Sequence, residues 1–213
     1  MAGMERFTIG ARVNCEDGVC GRVSRVVVDP VAKLVTHLAV EPEHRLGLAR
    51  LVPVDLAKSG PDAVSLACTM AEFEQLDAAE ETQFVPGTRG YEVYGPEQVL
   101  SWPYYELGDT VIDPDQEGKV SQTVTVDTLP PGEVGVRRGA RVDACDGAIG
   151  KVQGLVIDPA SHRVTHVLLQ EGHLLGRKQL AIPISAVEQV GDEVKLNLTR
   201  HQVRHLPPVG ING

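Results

Sequence analysis

Short alternations of apolar and polar residues, bounded by turn residues, run along both ends of the chain. In "ARVNCE", Ala11, Val13 and Cys15 fall on one face, and a period of two predicts a half-buried strand. Asp17-Gly18 follows and predicts a two-residue type I′ hairpin turn, whose central positions both need φ > 0. The return strand is "RVSRVVVD". Asp29-Pro30 predicts the next turn, and the β-branched "LVTHLAVE" a third strand. "ARLVPVDLA" contains Pro53, which places it near a strand end or a sheet edge. "AVSLACT" closes the set, and a short helical or irregular tail, "MAEFEQL", is expected after it.

The same pattern returns near the C-terminus. With Gly10 aligned on Gly139, "GARV" matches "GARV", Asp17-Gly18 matches Asp146-Gly147, and Gly21 matches Gly150. Asp29-Pro30 then matches Asp158-Pro159, and Val35-Thr36-His37 matches Val164-Thr165-His166. One inserted residue later, Pro53 matches Pro183. Agreement of this length, without compositional bias, indicates a duplicated module, and the period is far too long for a solenoid. In the second copy Ile149 and Val152 break strict alternation, and Gly150 between them predicts a bulge. Each copy reads as about five or six short strands, the signature of a small barrel, and "RHQVRHL" repeats the tail.

The run of Asp-Gly, two residues, Gly-x-Val, a hydrophobic strand ending in Asp-Pro and then "THL" or "THV" resembles the PRC-barrel family. The segments "GEVGVRRGARVDACDGAIGKVQGLVIDP" and "THVLLQEGHLLGRKQLAIPISAV" are similar to bacterial tandem PRC-barrel proteins of unassigned function. The resemblance covers both copies. It implies an all-β chain of two small PRC-type β-barrels in tandem, at 5–76 and 136–209; residues 77–135, which belong to neither copy, read from their own composition as a structured, aromatic-rich acidic connector. The family is named after the photosynthetic reaction-centre H subunit, and a ribosome maturation factor shares the barrel. One fold serves unrelated jobs, and nothing here suits pigment or quinone binding.

Hydrophobic residues make up 42% of the 213 residues, enough for a buried core. No apolar run is long enough to span a membrane. "MAGMERFTIG" lacks the apolar stretch of a signal peptide, so a cytoplasmic location is expected. The net charge of -9 is unevenly spread: residues 71–133 hold 14 acids and 2 bases, residues 134–213 hold 7 acids and 10 bases. Acidity on this scale disfavours direct nucleic-acid contact. The acidic middle is either a solvated surface or a strip that meets a basic partner or the basic second copy.

The connector changes that picture through its aromatics. Phe84, Tyr91, Tyr94, Trp102, Tyr104 and Tyr105 are 6 of the 8 in the chain, a concentration a free linker would not carry. "YELGDTVID" and "KVSQTVTVD" are expected to pair as strands. The aromatics either dock on the barrels or form a recognition patch, with Trp102, Tyr104, Tyr105, Tyr91 and Tyr94 as partner-binding residues.

Candidate chemistry is sparse. If Asp17-Gly18 is the turn, Cys15 faces Cys20 across a non-hydrogen-bonded pair, where a disulfide is geometrically allowed. The matching pair, Ala144 and Ile149, is apolar, so the cysteines read better as small core hydrophobes. Cys-x4-Cys without a second pair lacks zinc spacing. His37 and His166 read as packed or hydrogen-bonded strand residues; His44 and His173 also match but have no ligand partners at suitable spacing. Asp17, Asp146, Asp29 and Asp158 belong to turns. With Gly18, Gly21, Gly147 and Gly150 these positions are structural. There is no G-x-S-x-G elbow, phosphate-binding loop or H-E-x-x-H, so no catalytic residue, metal or cofactor is assigned.

The expectation is therefore a non-catalytic protein-interaction or scaffold protein with an unidentified protein partner. Alternatives are a small-ligand or metal sensor with a cleft between barrels and connector, and a ribosome-associated accessory factor. The two copies are expected to pack in pseudo-two-fold fashion, and homodimer formation is compatible with this arrangement.

Overall fold

Strand-forming residues dominate the chain, and the computed structural model is mostly β. It describes residues 4–43, 48–61, 63–86, 121–171, 178–191 and 193–206. The first elements are β1 (Glu5–Thr8), β2 (Arg12–Cys15), β3 (Gly18–Asp29), β4 (Leu34–Pro42), β5 (Arg50–Pro53), β6 (Ala57–Ser59), β7 (Ala63–Leu66) and helix α1 (Met70–Gln75). Then come β8 (Glu80–Pro86), β9 (Ser121–Asp127), β10 (Val134–Arg137), β11 (Arg141–Ala144), β12 (Gly147–Ile157) and β13 (Val164–Glu171). The last are β14 (Lys178–Pro183), β15 (Val187–Gln189), β16 (Glu193–Leu196) and helix α2 (Arg200–Arg204).

Two seven-stranded sheets share one strand order, β5-β4-β3-β2-β7-β6 and β14-β13-β12-β11-β16-β15. The seventh strand of each comes from the far end of the chain. β1 pairs antiparallel with β12, from Glu5 opposite Ile157 to Thr8 opposite Gly154. β10 pairs antiparallel with β3, from Val134 opposite Val28 to Arg137 opposite Arg25. Boundaries drawn along the sequence give β1 to the first copy, but its hydrogen bonds go to the second sheet.

The hairpins turn one residue earlier than expected. Cys15 lies opposite Gly18 and Asn14 opposite Val19, so Glu16 and Asp17 form the turn. Val13 is next opposite Gly21, which leaves Cys20 as the extra residue of a bulge. Cys15 therefore does not face Cys20. The type I′ expectation also fails: Gly147 has φ 126°, but neither Asp17, Asp146 nor Gly18 has positive φ. A physical reason is that both aspartates are committed elsewhere, to the first backbone amides of the helices. In the second sheet Ile149 is the extra residue, between Asp143 opposite Ala148 and Val142 opposite Gly150.

One apolar core runs through both sheets. It includes Phe7 from β1 and Val136 from β10, both fully buried, with Val26, Leu38, Leu155 and Leu169. Burying a Phe contributes roughly 1.5–3 kcal/mol, so each exchanged strand is anchored by apolar contact as well as by hydrogen bonds. A smaller cluster of Val27, Ala39, Ala49, Leu51 and Ala79, with Leu129 against it, covers the other face of the first sheet. The segment after α1 protects the edge of β5: Leu51 N–H donates to Asp77 O at 2.8 Å, and Ala79 N–H to Ala49 O at 2.7 Å.

Residues 1–79 with 129–213 make one compact unit, and residues 80–128 a second. In the second, β8 pairs with β9 in seven-residue register, from Glu80 opposite Asp127 to Pro86 opposite Ser121. The partner of "KVSQTVTVD" is thus "EETQFVP", which also carries strand-forming Thr, Phe and Val. The expected partner, 105–113, lies outside the described residues.

Candidate functional site

The matched Thr-His pairs lie where the exchanged strands begin. Thr36 and His37 sit on β4, and Glu133, just before β10, reaches them from the other end of the chain. Thr36 Oγ1 donates to Glu133 Oε2. His37 Nδ1 lies 3.6 Å from the same oxygen, within ion-pair range but too far for a hydrogen bond. Among the described residues, His37 Nδ1 is the one buried side-chain nitrogen or oxygen without a hydrogen-bond partner. The same hydroxyl oxygen lies 3.5 Å from Val27 O, on the strand that receives β10.

The second pair repeats the geometry with other chemistry. Thr165 Oγ1 donates to Val156 O at 3.1 Å, and His166 Nδ1 lies 3.1 Å from Thr165 Oγ1. The residue before β1 here is Met4, whose Sδ is 3.8 Å from Thr165 Oγ1. No carboxylate replaces Glu133, and burial alone pushes the His166 ring below the ordinary histidine value of 6.5. The equivalent strands β4 and β13 place both histidines alike; the residues ahead of the exchanged strands make the sites different. Sequence reading named His37 and His166 but missed Glu133 and Met4. They are 129 positions apart, the same offset as the two copies, and that was the available signal.

The aspartates serve the backbone. Asp17 Oδ1 accepts from Met70 N–H at 2.8 Å, and Asp146 Oδ1 from Arg200 N–H at 2.7 Å. Each therefore ties a hairpin turn to the first residue of α1 or α2, one of the amides a helix leaves unpaired. Thr69 with Glu72, and Thr199 with Gln202, complete capping boxes. Asp29 Oδ1 accepts from Val31 and Ala32 N–H. Asp158 Oδ1 accepts from Ala160 N–H, and its Oδ2 from the Ser161 hydroxyl, bonds that hold its carboxyl below the usual range. Gly21 and Gly150 sit where β4 and β13 approach closest: an added Cβ would lie 2.0 Å from Glu41 O and 2.3 Å from Gln170 O.

Cys15, Cys20 and Cys68 are buried and free, whereas Cys145 is exposed. Burial, with contact from Cys20, pushes the Cys15 thiol up to about 12. Burial, then the neighbouring Cys15, raises Cys68 to about 11. Both are protonated thiols at neutral pH, and the thiol is a poor nucleophile and metal ligand. No group of three or more His, Cys, Asp or Glu placed to hold a metal occurs among the described residues. No described helix is long and apolar enough to cross a membrane.

Tyr91, Tyr94, Trp102, Tyr104 and Tyr105 lie outside the described residues, as do His44 and His173. The 87–120 span that contains the five aromatics falls between β8 and β9.

Residues 138–203 match the model of the PRC-barrel domain family. No curated protein matches the chain.

Proposed function

We propose that the chain is a non-catalytic protein-interaction or scaffold protein built on two PRC-type barrels in tandem, with its recognition element in the connector. The observation that carries this reading is the β8–β9 pairing. Pro86 lies opposite Ser121, so residues 87–120 are a single insert in the sequence between two paired strands. That insert holds Tyr91, Tyr94, Trp102, Tyr104 and Tyr105, with 7 acids against 2 bases. Tyr and Trp are favoured anchors at interfaces, and the charge suits a basic protein surface.

Three further points support the reading. The PRC-barrel match covers 138–203, and the first sheet has the same strand order as the second. The matched aspartates are engaged with backbone amides. Three of the four cysteines are buried. The matched aspartates and the three buried cysteines are thus committed to holding the fold.

The test is an affinity pull-down from native lysate, comparing the intact chain with Trp102→Ala/Tyr105→Ala. The variant should lose a specific partner while its melting temperature stays unchanged. A variant that keeps every partner but loses stability would assign these aromatics to the fold and sink the proposal.

A further inference from the structure

Strand exchange raises a question of address: why does β1 join β12 rather than β3, which has the same fold position 129 residues earlier? At matched positions the two accepting strands differ sharply. β12 carries Gly154, and β3 carries Arg25, which is 2% exposed. The two donated strands differ in the opposite sense. β1 carries Arg6, and β10 carries Gly135 at the matched position. At these two matched positions each interface therefore has one arginine and one glycine, with the roles of donor and acceptor strand reversed.

The contacts give this reciprocity a steric meaning. A Cβ at Gly154 would lie 2.2 Å from Phe7 O and 3.0 Å from Thr8 Cα. β1 thus rides closer to β12 than any other residue type there would permit. On β3 that space is occupied by the Cβ of Arg25. A Cβ at Gly135 would lie 3.2 Å from Arg25 Cδ, so β10 leaves room for the arginine's aliphatic chain. β1 in that place would set the Arg6 side chain where β10 has Gly135, against the aliphatic chain of Arg25, an overlap of bulk at a packed position.

We propose that Gly154, together with the Arg25–Gly135 pair, is an address that admits β1 only to β12 and leaves β3 to β10. The free edge of β12 fits one kind of partner, a leading strand that can bring its carbonyl against a bare Cα. Exclusion of β1 from β3 is sufficient to set both pairings, because β10 then takes the remaining edge. Similar strands in duplicated modules need such a device, since specificity is a difference between competing pairings.

The test uses the full chain and hydrogen exchange read by mass spectrometry on peptides covering β1 and β10. Gly154→Ala should speed exchange of the β1 amides by about 100-fold, while β10 changes by less than about threefold, because opening is local to the strand that lost its seat. Gly135→Val leaves the Gly154 contact intact and should give the mirror image, β10 released and β1 retained. It decides the question where Gly154→Ala does not fold. Retained protection of β1 in Gly154→Ala, or equal loss in both strands in either folded variant, would overturn the address.

Discussion

Lys33 and His162 adopt the same left-handed backbone, φ 56° and 54°, and each offers its carbonyl to the residue two beyond the other. Val164 N–H donates to Lys33 O and Val35 N–H to His162 O, both at 2.9 Å. Leu34 and Arg163 between them form an antiparallel bridge. The two sheets therefore meet in a pseudo-two-fold contact, the single-chain counterpart of an isologous dimer interface. The side chains extend it: Lys33 Nζ donates to Ile184 O and Val187 O at 3.3 and 3.2 Å, and His162 Nε2 lies 3.7 Å from Asp55 Oδ1.

Left-handed backbone at a residue with a side chain costs about 1–2 kcal/mol, and the contact holds two such residues. His162→Gly relieves the strain and gives up only a long, partly exposed ion-pair contact, so its stability should equal or exceed that of the parent. His162→Val, β-branched and poorly suited to positive φ, should lose about 1–2 kcal/mol. Thermal denaturation of both variants checks the order. Equal stability of the two would show that the turn relaxes freely.

Gly150 gives a second prediction, independent of backbone dihedrals. Its added Cβ would meet Gln170 O at 2.3 Å, with Leu169 Cδ1 at 3.2 Å. The nearest obstacle is backbone and cannot rotate away. Gly150→Ala should therefore cost about 1–3 kcal/mol, whereas Gly191→Ala, with nothing within 4 Å of its Cβ, should be nearly neutral. Chemical denaturation of the pair, compared at the midpoint, separates a packing cost from a general aversion to replacing glycine.

These glycines also show what could be read from sequence and what could not. Alternation in "ARVNCE" and the β-branched run of "LVTHLAVE" correspond to β2 and β4, because period and propensity are local properties. The exact turn was misread, since Asp17 engages Met70 N–H, 53 residues away. Strand exchange was invisible for the same reason. A period of two says which face of "ERFT" is buried, but not which of two similar sheets buries it. The Arg6/Gly135 and Arg25/Gly154 reversal was present in the alignment of the copies, yet its meaning depends on contacts that only three dimensions supply. Glu133 and Met4 were likewise placed at the histidines by the exchanged strands, not by any motif.

Burial of His166 should appear in the pH dependence of stability. Burial lowers the His166 pKa in the folded chain, so the unfolded chain binds its proton first as pH falls. The stability that the neutral ring supports is complete above about 6.5. It declines below that value and is lost as pH falls through the lower folded pKa. Melting temperature should therefore drop between pH 7.5 and 5.5, and drop less in His166→Asn, which keeps a polar atom near the position of Nδ1 but does not titrate. Asp158 and Glu72, both lowered by hydrogen bonds, act in the more acidic carboxylate range. Parallel curves for parent and variant would remove His166 as the source of the slope.

Cysteine reactivity should divide the four thiols three to one. Cys15, Cys20 and Cys68 are buried, and burial raises all three pKa values, to about 12 for Cys15 and about 11 for Cys68. Both low access and a small thiolate fraction slow alkylation. Cys145 is exposed at the matching hairpin turn, its Sγ 3.5 Å from Leu196 O. Brief treatment with iodoacetamide at pH 8 should label Cys145 alone in the native chain, and all four cysteines after denaturation. Peptide mapping reads the sites directly. Rapid native labelling of Cys15 or Cys68 would mean that the hairpin end of the first sheet opens far more readily than its buried thiols imply. Cys145→Ser should abolish native labelling without shifting the melting temperature, because the side chain it removes is exposed.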